Sequence, residues 1–261
     1  MKLTSKILIG LLLLLCCGIM LSASMFKNEY ERNDKGELYF LYGTIQDQPF
    51  SHLVIIGGNA SNIVYEPSAK PSVRVFKRWN GYHDKRITTI VRNDTLYLDF
   101  PGTYADLNEK MQMKNTAIVR IFSPELKSVT AANTNLQLLK LKQKTLAVSV
   151  SGNSNFEVES LIADFEDVSI KATDTTGIVF EMSPDLKKSG SALSRQGEME
   201  IAADKKGWDA FHIKNLHATV SGHSFVDVGH AQIDSVDLHV SDSSAVVLSG
   251  GTMHKRLLVN R

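Results

Sequence analysis

Histidine is the most clustered metal-binding residue type in this sequence. Six of the eight histidines fall in the last 50 residues, and imidazole suits zinc or copper. Their spacing matches no compact ligand motif such as His-Glu-x-x-His. Both cysteines, Cys16 and Cys17, lie near the N-terminus, so no thiolate assists. We therefore expect solvated, outward-facing histidines and no bound metal or cofactor at the six positions, which are His212, His217, His223, His230, His239 and His254.

Nucleophilic catalysis would require a serine supported by a histidine and a carboxylate. Ser221, His223 and Asp227 are close together in the sequence, but no Gly-x-Ser-x-Gly elbow is present. A serine or threonine also begins each clear copy of a repeated turn described below, as a structural requirement of the turn would predict. We expect no catalytic residue there.

Sugar chemistry is the third candidate, because hydrolysis needs two carboxylates at a defined separation and aromatic rings stack on sugars. The densest acidic group is Asp164, Glu166 and Asp167, which we interpret as a solvated loop between strands. The aromatic candidates are Trp79 and Tyr82, in the basic stretch 77–83 that also reads as a loop, and Trp208. Glycine pairs such as Gly57-Gly58 do not form the tandem repeats of calcium-binding β-rolls.

Composition restricts the partner classes. The chain has 261 residues, 43% hydrophobic and 22% charged, which argues against disorder and allows a sizeable core. Lys plus Arg total 29 against 28 Asp plus Glu. A nucleic-acid-binding protein usually has a strong basic excess, so nucleic acid is not an expected partner.

The N-terminal segment predicts export. Lys2 and Lys6 precede an apolar run from Ile7 to Leu21, so the rest of the chain should lie outside the cytoplasm, in the periplasm or at the cell surface. The run suits a signal peptide cleaved after Ser24, whereas counting through Phe26 gives a length that can span a bilayer. We favour an uncleaved anchor. Lipidation at Cys16 or Cys17 is disfavoured, because Leu15 and Cys16 occupy the preceding positions, where a lipoprotein peptidase requires a small residue.

Changes in apolar content and in the alternation of apolar and polar residues define the boundaries of the segments. Residues 1–26 form the signal anchor or signal peptide, and residues 27–49 are polar with scattered aromatics, typical of a juxtamembrane stalk or a first edge strand. Residues 50–258 alternate apolar and polar side chains in short runs rich in Val, Ile and Thr, which predicts strands. The stretch from Pro101 to Lys114 lacks alternation and is predicted to be a loop, and no amphipathic helix of normal length appears.

A repeated strand, turn and strand is the most specific signal in the sequence. Each copy keeps its apolar residues at alternate positions on both sides of a five-residue turn rich in Ser, Gly, Asn, Asp and Thr. A weaker copy contains Ala132-Asn133-Thr134-Asn135, and an irregular copy is expected between Met182 and Ile213. Glycine, Asn and Asp accept left-handed backbone conformations, which suits such turns. The four clear turns are 151–155, 173–177, 221–225 and 241–245.

This regularity predicts an all-β solenoid, a right-handed parallel β-helix, in preference to a β-sandwich. A sandwich has no reason to repeat one turn at a period near 20 residues. Stacked coils could bring His217 and His239 close together. If alternate residues point inward, Val220→Asp or Val240→Asp should destabilise severely, whereas Ser224→Ala should be mild.

The order of these motifs resembles the family called "putative auto-transporter adhesin, head GIN domain", found in bacterial envelope proteins. The resemblance covers most of residues 50–251, with Ser-Gly turns at Ser151 and Ser221 that become Thr173-Asp174 and Ser241-Asp242 in the other copies. It implies an exported parallel β-helix, adhesion as the function suggested by the name, and no catalytic residues. The strands that carry it are Phe50 to Ile56, Val73 to Val75, Asn93 to Leu98 and Ile118 to Leu126.

Taken together, these features predict a non-catalytic, envelope-exposed β-helix module that adheres to or binds an envelope component. Its partners would be the membrane, through the N-terminal segment, and a polysaccharide or an envelope protein. Two alternatives are a carbohydrate-active enzyme on the same scaffold and an accessory subunit of an envelope sensing or secretion system.

Overall fold

The fold is described from a computed structural model of the chain. Contacts divide it into two compact units, Met1–Tyr42 and Gly43–Arg261. The structure describes residues 3–32, 38–100, 104–162, 164–182, 212–229, 231–241, 243–248 and 258–259.

The first unit contains one long apolar helix, α1 (Leu3–Arg32). Its stretch Gly10–Lys27 is long and apolar enough to cross a membrane, and none of that stretch is buried by protein. A membrane anchor and a signal peptide share these properties. The helix continues to Arg32 and so extends into the segment 27–49, for which we predicted a stalk or an edge strand.

The second unit is built from strands, which confirms the mostly-β prediction. They form two nine-stranded sheets, the first in the order β1-β4-β7-β3-β9-β11-β13-β15-β17 and the second in the order β18-β16-β14-β12-β10-β8-β2-β6-β5. In chain order the strands are β1 (Tyr42–Gln46), β2 (His52–Ile56), β3 (Asn62–Pro67), β4 (Ser72–Phe76), β5 (Thr88–Arg92), β6 (Thr95–Asp99), β7 (Ala117–Ser123), β8 (Ser128–Ala132), β9 (Asn135–Leu141), β10 (Thr145–Ser151), β11 (Asn153–Ser160), β12 (Asp164–Ala172), β13 (Thr175–Met182), β14 (His212–Val220), β15 (Phe225–Asp227), β16 (Gln232–Val240), β17 (Ala245–Val247) and β18 (Leu258–Val259).

Both sheets are open and mixed. From β7 to β17 the consecutive strands alternate between the two sheets. Neighbours there pair in parallel, for example β10 with β12 and β11 with β13. Near the start of the unit, β4 runs antiparallel to β7 and β5 antiparallel to β6. Strands β1 and β5 are therefore the edges of the two sheets at this end.

The core confirms the alternation of inward and outward residues. The apolar positions of the first three turn copies are buried. They include Leu146, whose register partner is Val168, and Leu216, which pairs with Val168 on its other side. The fourth copy differs at Val240, which is 41% exposed although its partner Val220 is fully buried. Val240 occupies an inward position of the alternation but lies in the last long strand of its sheet, so the burial on which the expected severe effect of Val240→Asp depended is not found.

The second residue of each described turn adopts a left-handed backbone conformation. Its φ is +53° at Asn133, +72° at Gly152, +66° at Asp174 and +75° at Gly222. This explains why Gly, Asn and Asp alternate at the position. Gly222 also lies too close to the backbone of Asp174 for a side chain, since an added Cβ would be 2.5 Å from its carbonyl oxygen.

A ladder of hydroxyl groups joins consecutive turns. Thr134, Ser154, Thr176 and Ser224 are all buried at equivalent positions. The N–H of Thr134 donates to the Ser154 hydroxyl at 3.0 Å, and the N–H of Thr176 donates to the Ser224 hydroxyl at 3.3 Å. The Ser224 hydroxyl also donates to the carbonyl of Asp174. Because Ser224→Ala would leave a buried N–H without this partner, the expectation that it is mild does not fit the structure.

Two helices interrupt the strands where we predicted loops. The short α2 (Asn80–His83) lies in the basic stretch, and α3 (Leu107–Asn115) occupies the predicted loop Pro101 to Lys114. The Asp106 side chain accepts the N–H of Glu109 at 2.8 Å and caps α3. The Glu109 side chain accepts the N–H of Ala105 in return. The Asp-x-x-Glu spacing was the sequence signal for this helix.

The irregular copy expected between Met182 and Ile213 falls on residues 183–211, outside the described residues. The strands that flank it pair directly, β12 with β14 and β13 with β15. Within the described residues, β12 and β14, and likewise β13 and β15, are therefore adjacent strands.

Candidate functional site

A cleft opens where the two sheets begin, at the edge strands β1 and β5. It has a volume of about 690 Å³. Val75 of β4 and Ile87 are buried, while Ile45 of β1 is 36% exposed. The complete lining is Thr44, Ile45, Val75, Gly81, Tyr82, His83, Lys85, Ile87, Thr88 and Thr89.

A buried polar network holds the α2 side of the cleft in place. The Glu109 carboxylate accepts the indole N–H of Trp79 at 2.7 Å and is paired with Arg86. The Arg86 guanidinium also lies over the Trp79 ring, 5.0 Å from its centroid. Because α2 begins directly after Trp79, Glu109 connects α3 to the segment that carries Tyr82.

The Tyr82 ring forms one wall of the cleft and packs closely against the backbone of Gly43. An added Cβ at Gly43 would lie 2.2 Å from the Tyr82 hydroxyl, so the ring covers backbone that has no side chain. Tyr82 is half-buried and contacts the core. Its ring meets that of His83 edge-on, with the centroids 5.5 Å apart.

The rim of the cleft is polar and basic. His83, Lys85 and Thr88 are exposed there. Lys85 has a φ of +51°, and its N–H donates to the carbonyl of Tyr82 at 3.3 Å, which ends the short helix α2. None of the lining residues is an aspartate or a glutamate.

A smaller, mainly apolar concavity adjoins the cleft at β5. It has a volume of about 400 Å³ and shares Thr88 and Thr89 with the cleft. Ile90 of β5 pairs with Tyr97 of β6, which pairs with Val54 of β2, so a row of apolar side chains crosses three strands. Ile90 and Tyr97 are each 43% exposed.

The three aromatic candidates for sugar contact differ in their accessibility and in whether the structure describes them. Trp79 is fully buried, so this candidate is not available to stack on a sugar. Its stacking on Phe100, with centroids 5.7 Å apart, and its bond to Glu109 explain the burial. Tyr82 lines the cleft, and Trp208 lies outside the described residues.

Three of these histidines lie on the second sheet, His212 and His217 on β14 and His239 on β16. His212 bridges two carboxylates, with Nδ1 2.7 Å from Asp164 and Nε2 2.9 Å from Asp234. The Asp164 hydrogen bond raises the pKa of His212 above its usual value; Asp234 acts in the same direction, and burial opposes both.

The two other histidines on this sheet, His217 and His239, do not converge. His217 lies beside Asp237, 3.5 Å away, while the register partner of His239 is Thr219. His230 and His254 lie outside the described residues. In the described part of the chain, no group of three or more His, Cys, Asp or Glu side chains is arranged to hold a metal ion.

The acidic candidates are engaged in pairs on this same sheet. Asp164 contacts His212, Glu166 accepts from Lys144 at 3.1 Å, and Asp167 accepts from Asn215 at 2.8 Å. Asp164 begins β12, so the group lies on a strand and not in the predicted loop. Asp164 and Glu166 are exposed, and the group does not line the cleft.

Ser221, His223 and Asp227, which are close in sequence, make hydrogen bonds that stabilise the turn and the strand after it. Asp227 accepts the backbone N–H of Gly229 at 2.8 Å. The N–H of Ser221 donates to the carbonyl of Ala172 at 2.9 Å, and that of His223 to the carbonyl of Asp174. The Ser221 and His223 contacts join the backbones of neighbouring turns, and the Asp227 contact is local, so the three residues do not assemble a nucleophile.

Sequence reasoning missed most of the cleft. It considered Tyr82 but not Ile45, Lys85 or the threonines of β5, because these residues belong to no motif. Two features of the sequence could have indicated the cleft: the basic stretch 77–83 and the Asp-x-x-Glu spacing that caps α3.

Comparison with known proteins gives a family for residues 58–251, which match the model described as "Putative auto-transporter adhesin, head GIN domain". No curated protein sequence matches the chain.

Three solved structures are similar over 80% of this chain. The first, titled a putative adhesin from Bacteroides fragilis, is 12% identical, aligns over 96% of its own length and has a TM-score of 0.42. A putative adhesin from Parabacteroides merdae is 13% identical over 95% of its length, with a TM-score of 0.32. A putative lipid binding protein from Parabacteroides distasonis is 13% identical over 94% of its length, with a TM-score of 0.23.

Proposed function

This chain belongs to the family "Putative auto-transporter adhesin, head GIN domain", and from that premise we propose that it is a non-catalytic binding module exposed in the bacterial cell envelope. The family and the apolar helix α1 are consistent with an exported, envelope-associated protein. An adhesin-like domain suggests binding as its activity.

The composition of the cleft carries the proposal. Its lining combines apolar side chains with threonine hydroxyls, one lysine and one histidine, and no carboxylate. Glycoside hydrolysis uses two carboxylates on either side of the scissile bond. The cleft therefore favours retention of a ligand over its cleavage, and supports the binding module over the carbohydrate-active enzyme.

We assign a separate task to each segment. Residues 1–26 act as a signal anchor or signal peptide, residues 27–49 link it to the domain, and residues 50–258 form the binding domain outside the cytoplasm, in the periplasm or at the cell surface. The alternation of strands between two sheets supports a parallel β-helix, and the strong preference of parallel crossovers for one hand supports a right-handed coil. The partner is an envelope polysaccharide or an envelope protein.

The test measures binding and turnover together. The full chain, reconstituted in phosphatidylcholine nanodiscs, is immobilised and exposed to purified envelope polysaccharide and, separately, to purified envelope proteins. We expect saturable binding to one of them. Mass spectrometry should recover the bound polysaccharide at its original length. Shortened sugars would establish an enzyme instead, and no saturable binding to either fraction would overturn the proposal.

A further inference from the structure

We propose that the cleft between β1 and β5 binds a small anionic amphiphile, a molecule with an apolar body and one carboxylate or phosphate group. This inference rests on the proposed binding function and names the ligand class for one site of the domain. The apolar body would lie on Val75, Ile87 and Ile45, and the anionic group would meet Lys85 and His83 at the rim.

The size and lining fit a small molecule. Ligand pockets typically have volumes of about 300 to 1,000 Å³ and are mainly apolar, with a few polar groups that orient the ligand. The cleft has a volume of about 690 Å³. Its floor is formed by buried Val75 and Ile87. Thr44, Thr88 and Thr89 add hydroxyl donors on the two edge strands.

The basic residues around the cleft favour a ligand with a negative charge. Residues 74–92 contain six Lys or Arg and only one acidic residue, Asp84. Glu109 engages Arg86, whereas Lys85 and His83 line the cleft and are exposed. A carboxylate or a phosphate in the cleft would therefore meet the Lys85 ammonium group and no lining carboxylate. Hydrogen bonds to charged groups are also the stronger ones.

The backbone at Lys85 favours a role for its side chain. Its φ of +51° lies in the left-handed region, where glycine or asparagine usually follows a helix. A lysine incurs a steric cost there, and strained residues cluster at ligand-binding sites. The conformation places an amino group on the rim of the cleft, where glycine would provide none.

The experiment follows the isoleucine methyl groups of the full chain in phosphatidylcholine nanodiscs by NMR. Decanoate is the anionic probe, and decanol is the matched uncharged probe. We expect decanoate to shift the Ile45 and Ile87 signals saturably while leaving that of the core residue Ile178 in place. Decanol should bind about tenfold more weakly, as expected for the loss of one charge-assisted hydrogen bond.

Variants locate the site. Lys85→Gln should weaken decanoate binding about tenfold and leave decanol binding unchanged. Ile45→Asn should weaken both. Lys171→Glu, at an exposed lysine on β12, is the matched control and should change neither. Unchanged methyl signals away from the cleft show that each variant is folded.

Two arms distinguish the source of the anion. Adding phosphatidylglycerol to the nanodisc without decanoate should shift the same two signals if the ligand is a membrane lipid, whereas a shift by decanoate alone identifies a free amphiphile. No shift in either arm, or equal effects of Lys85→Gln and Lys171→Glu, would overturn the inference. A shift caused only by a polypeptide that pairs with the β5 edge would overturn it as well. Saturable binding of envelope polysaccharide or protein in the earlier test would then still support the proposed function.

Discussion

The hydroxyl of Ser154 accepts a hydrogen bond from the backbone N–H of Thr134 at 3.0 Å, across 20 residues of sequence. The same hydroxyl donates to the carbonyl of Ser151 at 2.6 Å. One buried side chain thus closes its own turn and joins it to the preceding one. This double role explains why a hydroxyl residue occupies the fourth position of the turn.

Removing that hydroxyl should be costly. Ser154→Ala leaves the buried N–H of Thr134 without its partner, and such a loss costs about 1 to 3 kcal/mol. Ser169→Ala, at an exposed serine of β12, should change stability by less than about 0.5 kcal/mol. Thermal unfolding followed by circular dichroism compares the two variants. Equal melting temperatures would show that the hydroxyl ladder does not contribute to stability.

Much of this domain follows from its sequence because alternation and turn chemistry are local. The inward positions of the repeated strands and the left-handed second residue of each turn were both predictable from residue types. The burial of Trp79 was not, since it depends on Glu109, which is 30 residues away in sequence. The cleft was missed for a similar reason: Ile45 and Lys85 come together only when the edges of two sheets meet.

Substitutions of Val220 and its register partner Val240 can test where the buried core ends. Val220 is fully buried, whereas its partner Val240 is 41% exposed. Val220→Asp should bury an unpaired charge and destabilise the protein by more than about 4 kcal/mol, so that little folded protein remains. Val240→Asp should cost about 1 kcal/mol, because its carboxylate can stay hydrated. Yields of folded protein and urea unfolding curves provide the comparison, and similar losses would contradict the burial difference.

The support of the cleft by α3 can be tested at Glu109. Its side chain is almost completely buried and accepts from Trp79 and Arg86. Glu109→Ala would remove the carboxylate that accepts from both donors, and breaking a buried ion pair costs about 3 to 5 kcal/mol. Glu181→Ala, at an exposed glutamate, is the control. Urea unfolding measures the free energies, and a cost at Glu109 no larger than at Glu181 would mean that this network does not hold α2.

The bridge made by His212 predicts a pH dependence with a definite sign. Protonated His212 can donate to Asp164 and Asp234 together, whereas the neutral ring has only one N–H. Its pKa is raised in the folded state, chiefly by the Asp164 hydrogen bond. The bridge therefore contributes its full stability below the unfolded pKa of about 6.5 and loses it as the pH rises through the folded pKa. The free energy of unfolding of His212→Gln should fall further below that of the native chain at about pH 5.5 than at about pH 8.5. His239→Gln, which removes a histidine with no carboxylate contact among the described residues, should show no such difference. If the gap between His212→Gln and the native chain were the same at both pH values, the bridge would not be stabilised by protonation.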